Sequence, residues 1–152
     1  MSLQVGDKAP DFTLPDQSGT PVTLSERLAE KVVVLYFYPK DETRGCTAEA
    51  CGFRDGYESF TDAGAEVIGV SSDSVASHEK FAGRHDLPFI LLADTDKAVR
   101  GQYGARTLGV IPGRITFVID QEGVIRHAFS SMTNIGGHVA DALAVVKRLQ
   151  VA

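Results

Sequence analysis

The amino-acid sequence predicts an α/β fold with a mixed central sheet and flanking helices. Short apolar segments rich in β-branched residues alternate with segments in which apolar residues recur at helical spacing. Near the end of the chain, the tight turn Gln121-Glu-Gly123 joins two strand-like segments, which predicts an antiparallel hairpin. Alternating strands and helices form parallel sheets, so the added hairpin makes this sheet mixed.

The first part of the chain is predicted to be an N-terminal extension to that sheet. Residues 5–14 and 20–24 are extended segments around the turn Asp16-Gln-Ser-Gly19. Ser25 is a suitable cap for a short helical turn through Glu30.

The next two elements form the predicted centre of the fold. The segment Val32-Val-Val-Leu-Tyr-Phe-Tyr38 is continuously apolar, which predicts a strand buried on both faces. Pro39 ends this strand. Thr43 is a suitable N-cap for a helix over residues 44–63, which Gly64 would end.

The second half continues the alternation and then adds the hairpin and a last helix. The predicted elements are a strand over 65–71, a helix over 74–84, a strand over 88–93, a helix over 94–103, strands over 114–120 and 124–129, and a helix over 137–150. This order is that of the thioredoxin fold with an N-terminal extension and an inserted helix. At 152 residues, we expect one domain over residues 1–152.

Composition and charge argue against several classes of partner. The net charge of −5 and the lack of a basic patch argue against nucleic acid and anionic membranes. The N-terminal residues lack the features of a secretory signal, and no apolar stretch approaches the roughly 18 residues of a membrane span. We therefore expect a cytoplasmic protein, in which a disulfide would be transient and catalytic.

Both cysteines of the chain lie in the helix predicted after Pro39. With Thr43 as the N-cap, Cys46 is the third helical residue. Unpaired N–H groups and the positive end of the helix dipole favour a thiolate there, and the thiolate is the nucleophile. Arg44 adds positive charge, and the Thr43 hydroxyl is placed to donate a hydrogen bond to the sulfur or to a bound oxygen atom.

The second cysteine, Cys51, is too far along an intact helix to bond to Cys46. Residues five apart have Cα atoms roughly 8–9 Å apart. An unstrained disulfide has a limit of about 7 Å. A bond between the two therefore requires local unwinding, which Gly45, Gly52 and Gly56 facilitate because glycine lowers helix stability. The alternative is a pair of inert cysteines, since a lone buried cysteine is usually a small hydrophobe.

The pattern Pro39-x3-Thr43-x2-Cys46 resembles the active-site signature of the peroxiredoxins, and the spacing to Cys51 resembles that of the Q subfamily, or bacterioferritin-comigratory-protein type. The likeness also covers residues 5–14, residues 35–43 and residues 109–120. Arg44 departs from the pattern, because the subfamily often has proline at this position.

The resemblance implies a thiol peroxidase that reduces hydrogen peroxide and alkyl hydroperoxides without a metal or an organic cofactor. Cys46 would attack the peroxide and become a sulfenic acid, and Cys51 would then form an intramolecular disulfide with it. A thioredoxin- or glutaredoxin-like reductant would restore the dithiol. The resemblance also implies a monomer. With no third cysteine, an intermolecular resolving thiol is not expected.

The resemblance further implies roles for four residues around Cys46. Pro39 would shield the site from water, Thr43 and Arg114 would align the peroxide and stabilise the leaving oxygen, and Glu49 would orient Arg114 through a salt bridge. Without the family, Arg114 is an edge residue that reaches towards water and Glu49 is a solvated surface residue.

The remaining polar residues suggest no second site. We expect surface or capping roles for His78, His85, His127 and His138, and turn or cap roles for Asp41, Glu42, Asp94 and Asp96. A zinc site would need a second ligand pair near the cysteines, and no dinucleotide or phosphate-loop motif occurs.

Two further functions stay open. A general disulfide oxidoreductase would exchange rapidly with disulfides, although the usual Cys-x2-Cys motif is missing. A redox-sensing or chaperone-like binding protein would use the cysteine pair as a switch and bind partners according to its oxidation state. A zinc-binding structural module ranks last.

Overall fold

The computed structural model describes residues 3–107 and 111–151. In chain order the elements are β1 (Thr13–Pro15), β2 (Pro21–Thr23), α1 (Leu24–Leu28), β3 (Val32–Phe37), α2 (Arg44–Asp55), α3 (Tyr57–Asp62), β4 (Ala65–Ser71), α4 (Val75–Arg84), β5 (Ile90–Ala93), α5 (Ala98–Tyr103), β6 (Arg106–Thr107), β7 (Ile111–Pro112), β8 (Ile115–Ile119), β9 (Ile125–Ser130) and α6 (Ile135–Val151). Among these described residues, none of the helices is both long enough and apolar enough to cross a membrane.

The main sheet has five strands in the order β5-β4-β3-β8-β9. Strand β3 pairs parallel with β4 and antiparallel with β8, while β4 and β5 are parallel and β8 and β9 are antiparallel. Strands β1 and β2 form a separate hairpin at the N-terminal end. The predicted α/β fold with a mixed sheet, an N-terminal extension and flanking helices is confirmed.

The sheet separates two apolar cores, because successive side chains of a strand point to opposite faces. Val34 and Tyr36 of β3 face one core, which also contains residues of α2, α3, α4 and α6. Val33, Leu35 and Phe37 face the other core, which contains residues of α1 and α5. We refer to these as the α2-side core and the α5-side core.

Several predicted boundaries differ from the structure. The helix predicted over 44–63 is interrupted at Gly56, which separates α2 from α3, as expected from the low helix propensity of glycine. The helix predicted over 94–103 begins only at Ala98. The strand predicted over 88–93 begins at Ile90. The first helical turn begins at Leu24 after Thr23, so the predicted cap at Ser25 is wrong.

Candidate active site

Cys46 and Arg114 meet at the beginning of α2. Cys46 is the third residue of this helix, as predicted, and its side chain is buried. Arg114 directly precedes β8, and its Nη2 donates to Cys46 Sγ at 3.5 Å. Both cysteines are free thiols. A buried guanidinium on a sulfur at a helix N-terminus is a setting that stabilises a thiolate.

The sheet register explains why these two side chains meet. Phe37 at the end of β3 pairs with Ile115 at the beginning of β8, so the chain leaves β3 towards α2 beside Arg114. Gly45 also permits the contact, because a Cβ atom there would lie 2.9 Å from Arg114 Nη2. The described part of this region excludes residues 108–110, where Gly109 of the predicted motif lies.

Glu49 lies one turn after Cys46 and binds the nitrogen of the Arg114 guanidinium that does not contact Cys46. Arg114 Nη1 donates to Glu49 Oε1 at 2.6 Å. Glu49 is 0% exposed and Arg114 is 4% exposed, so the solvated alternatives for both residues are wrong. Burial raises the pKa of Glu49 to about 7, although the positive charge of Arg114 opposes this rise.

Thr43 occupies the N-cap position of α2, but its side chain makes no capping hydrogen bond. Its backbone is extended, and its hydroxyl donates to the carbonyl oxygen of Lys40 at 2.8 Å instead of to Cys46 Sγ. The oxygen lone pairs of this hydroxyl can still accept a hydrogen bond from a peroxide O–H. Thr43 is exposed and Pro39 is half-buried, so the loop between β3 and α2 forms an outer edge of the site.

Cys51 lies in the second half of the intact helix α2 and is half-buried. The helix is continuous from Arg44 to Asp55, so a bond between Cys46 and Cys51 requires α2 to unwind. Glu49 lies between the two cysteines in sequence. Unwinding of α2 between the two cysteines would therefore also disturb the contact between Glu49 and Arg114.

Two of the four histidines are buried, which corrects the predicted surface or capping role for His78 and His138. His138 Nε2 donates to the carbonyl oxygen of Ser131 at 2.7 Å, and Nδ1 lies 2.7 Å from Thr116 Oγ1. Burial lowers the pKa of His138, and the charge of Arg114 acts in the same direction. His138 lies on α6 four residues before buried Ala142, and this helical spacing was the signal that could have identified it.

Asp41 is also buried, so it is more than the predicted turn residue. Its carboxylate accepts from the hydroxyls of Tyr38 and Ser77 at 2.6 and 2.8 Å, and it lies 2.7 Å from His78 Nδ1. His78 Nε2 donates to the carbonyl oxygen of Leu92. This network attaches the loop before α2 to α4.

The other predicted acidic turn and cap residues behave differently from one another. Asp94 accepts from the backbone N–H groups of Val99 and Arg100, and Asp96 accepts from that of Ala98, so both cap α5 as predicted. Glu42 has a left-handed backbone with φ of 64° and forms an ion pair with Arg84. Non-glycine residues rarely adopt this conformation, and it occurs here directly before Thr43.

We expect Glu49 to make the stability of the reduced protein depend on pH. Its pKa is about 7 in the folded state, against 4.5 for an exposed glutamate. Because the folded-state pKa is higher than the unfolded-state pKa, Glu49 stabilises the fold fully at pH values below 4.5. This stabilisation is lost as the pH rises towards 7. The free energy of unfolding should therefore fall by about 3 kcal/mol from pH 4.5 to 7.5, at about 1.4 kcal/mol per pKa unit. Chemical denaturation of wild type and Glu49→Gln at both pH values measures this.

The difference between wild type and Glu49→Gln measures the titration of Glu49 together with its coupling to His138, whose Nδ1 lies 3.6 Å from Glu49 Oε2. Glu58→Gln is the control, since Glu58 is an exposed acidic residue on α3. A wild-type curve that parallels that of Glu49→Gln across this pH range would contradict the prediction.

Comparisons with known proteins show the family of this chain. Residues 5–128 match the AhpC/TSA family. A protein named putative peroxiredoxin bcp from Coxiella burnetii is 45% identical over 152 residues, which cover 94% of this chain and 98% of that protein. The chloroplastic peroxiredoxin Q of Triticum aestivum is 46% identical over 146 residues, which cover 95% of this chain and 67% of that protein.

Solved structures lead to the same family. The peroxidoxin BcpB of Mycobacterium tuberculosis superposes with a TM-score of 0.91 at 40% identity, covering 97% of this chain and 98% of that one. Peroxiredoxin Q of Xanthomonas campestris superposes with a TM-score of 0.83 at 34% identity, covering 91% of each chain. Peroxiredoxins are thiol peroxidases, and the chain belongs to the AhpC/TSA family as a peroxiredoxin of the Q type.

Proposed function

We propose that this chain reduces hydrogen peroxide and alkyl hydroperoxides through a Cys46 thiolate, a sulfenic acid and an intramolecular Cys46–Cys51 disulfide. The proposal rests on three buried side chains in contact, in which Arg114 lies between Glu49 and Cys46. One guanidinium binds the carboxylate through Nη1 and the sulfur through Nη2. Such an arrangement supplies a fixed positive charge where negative charge has to be held.

In the first step, Cys46 Sγ attacks the distal oxygen of the peroxide. An S–O bond forms and the O–O bond breaks, so the sulfur is oxidised by two electrons and the peroxide is reduced. The leaving oxygen takes a proton from solvent and departs as water or an alcohol. Arg114 stabilises the charge on the reacting oxygens, and the Thr43 hydroxyl accepts the peroxide O–H. Pro39 limits the access of water.

In the second step, α2 unwinds and Cys51 attacks the sulfenic sulfur. An S–S bond forms, and the hydroxyl of the sulfenic acid leaves as water. The break at Gly56 ends α2 after 12 residues, so α3 is not required to unwind. Within α2, Gly45 and Gly52 lower the cost of opening by about 1 kcal/mol each relative to alanine.

In the third step, an external dithiol of the thioredoxin or glutaredoxin type reduces the disulfide by exchange and is itself oxidised. Because both redox-active thiols belong to one chain, the proposed cycle is complete in a monomer. A reducing cytoplasm suits an enzyme whose disulfide has to be reopened in each cycle. We therefore also propose a monomeric, cytoplasmic enzyme.

Intact-mass measurement of reduced wild-type protein tests the function. Within seconds of adding one equivalent of hydrogen peroxide, the protein should lose the mass of two hydrogens, and a thioredoxin system should then support turnover. Mass is preferable to intrinsic fluorescence because the chain has no tryptophan. An unchanged mass would reject the peroxidase function and favour disulfide exchange or redox-dependent binding.

A further inference from the structure

The ladder between β3 and β8 ends just where the proposed site begins. The last pair is Phe37 with Ile115. Beyond it, Pro39 has no N–H to donate, so the ladder cannot continue in its usual form. The carbonyl groups of Tyr38 and Gly113 lie beyond this last pair in the protein interior, where an unsatisfied carbonyl is costly. Each of these carbonyls directly precedes a residue of the site, Pro39 or Arg114.

Arg100 of α5 supplies the donors at this point. Its guanidinium donates from Nη1 to the carbonyl oxygens of Ala105 and Gly113 at 2.8 and 2.9 Å, and from Nη2 to the carbonyl oxygen of Tyr38. The side chain is 1% exposed. Its Cζ atom also lies 5.8 Å from the centre of the Phe37 ring.

The backbone of Arg100 is fixed as well as its side chain. Its N–H donates to Asp94 Oδ2 at 2.8 Å, within the cap of α5. The planar guanidinium presents its donors in a rigid fork, so it sets the distance between the acceptors that it joins. A lysine ammonium at this position could not reproduce that geometry, because it is a point charge on a flexible stem.

We propose that Arg100 is a positioning residue for the peroxidase site, which sets the Pro39 loop and the Arg114 segment at the spacing that peroxide reduction needs. This inference rests on the proposed function. Arg100 acts from the α5 side of the sheet and through two backbone carbonyls, so it is distinct from the residues that line the site. A displacement of about 1 Å in reacting groups can cost on the order of 100-fold in rate.

The test compares two reactions of Cys46 in wild type, Arg100→Met and Arg100→Lys. The first is oxidation by hydrogen peroxide, followed by quenching and mass analysis. The second is alkylation by iodoacetamide at the same pH, which needs an accessible thiolate but no aligned peroxide. We expect the peroxide rate constant to fall about 100-fold in Arg100→Met and about 10-fold in Arg100→Lys. Alkylation should fall clearly less than peroxide reduction, because it needs the Cys46 thiolate that Arg114 contacts but no aligned peroxide.

Tyr103→Phe is the matched control. Tyr103 lies on the same helix, is buried, and also donates to a carbonyl oxygen, that of Pro10. Loss of the Tyr103 hydroxyl should lower the stability of the protein without changing the ratio of the peroxide and alkylation rate constants. Arg100→Lys keeps the charge and provides a folded variant if Arg100→Met does not fold.

Three results would overturn the inference. The first is a folded Arg100 variant that reduces peroxide at the wild-type rate. The second is an equal change in the two rate constants of the Arg100 variants. The third is a wild-type protein that does not react with peroxide, and only this result also rejects the proposed function.

Discussion

Replacing Cys46 by serine should abolish the reaction with peroxide, whereas replacing Cys51 by serine should stop it one step later. A serine hydroxyl is not ionised at neutral pH, so Cys46→Ser has no nucleophile beside Arg114. Cys51→Ser keeps the nucleophile but lacks the thiol that condenses with the sulfenic acid. After one equivalent of peroxide, intact mass should show no change in Cys46→Ser and the gain of one oxygen atom in Cys51→Ser.

The two variants control for each other, because both remove one sulfur from the same helix. With excess peroxide, Cys51→Ser should continue to the sulfinic acid and gain a second oxygen atom. Gain of oxygen at residue 51 in Cys46→Ser would contradict the assigned roles, and so would a disulfide-linked dimer as the main product of Cys51→Ser.

Replacing Arg114 by glutamine should lower the rate constant for Cys46 oxidation by about 100- to 1,000-fold, which is typical for the loss of one preorganised donor at a reacting oxygen. Arg114→Lys should recover only a small part of this rate. One ammonium cannot reproduce the two-sided contact with Glu49 Oε1 and Cys46 Sγ. Rapid quenching of the reduced protein with hydrogen peroxide, followed by mass analysis, gives the rate constants.

Arg126→Gln is the control for the loss of one positive charge, because Arg126 is exposed and forms its ion pair with Asp120. Arg126→Gln should leave the rate constant for Cys46 oxidation within about twofold of the wild-type value, as expected for loss of an exposed ion pair. If Arg114→Gln reacts as fast as Arg126→Gln, the charge at Cys46 is supplied by the helix N-terminus and not by Arg114.

The main sheet was predictable because its strands carry strong local signals. The continuous apolar run of β3 and the mostly apolar run of β4 predict burial, and the turn before β9 predicts a hairpin. The placement of Cys46 was predictable for a similar local reason, since threonine is a preferred residue directly before a helix. The pairing of Glu49 with Arg114 was different. It joins residues 65 positions apart, and only the family resemblance pointed to it.

Other features depend on contacts that local patterns do not show. Burial of His78 and His138 depends on distant acceptors, the carbonyl oxygens of Leu92 and Ser131. Arg100 was not identified because its acceptors are backbone carbonyls, which every residue possesses. The Thr43 hydroxyl is directed towards Lys40 by the shape of the loop, and residue type alone does not determine that shape.

The division of the interior into two cores has a consequence for the proposed redox cycle. Cys46, Ala50 and Phe53 of α2 belong to the α2-side core, and the described members of the α5-side core include no residue of α2. In the proposed cycle, unwinding of α2 would therefore disturb the α2-side core, while the α5-side core on the other face of the sheet would stay packed. In the proposed cycle, reduction of the disulfide would let α2 refold against a sheet that is still formed, so the chain would avoid the exposure to proteases that accompanies unfolding of a whole domain.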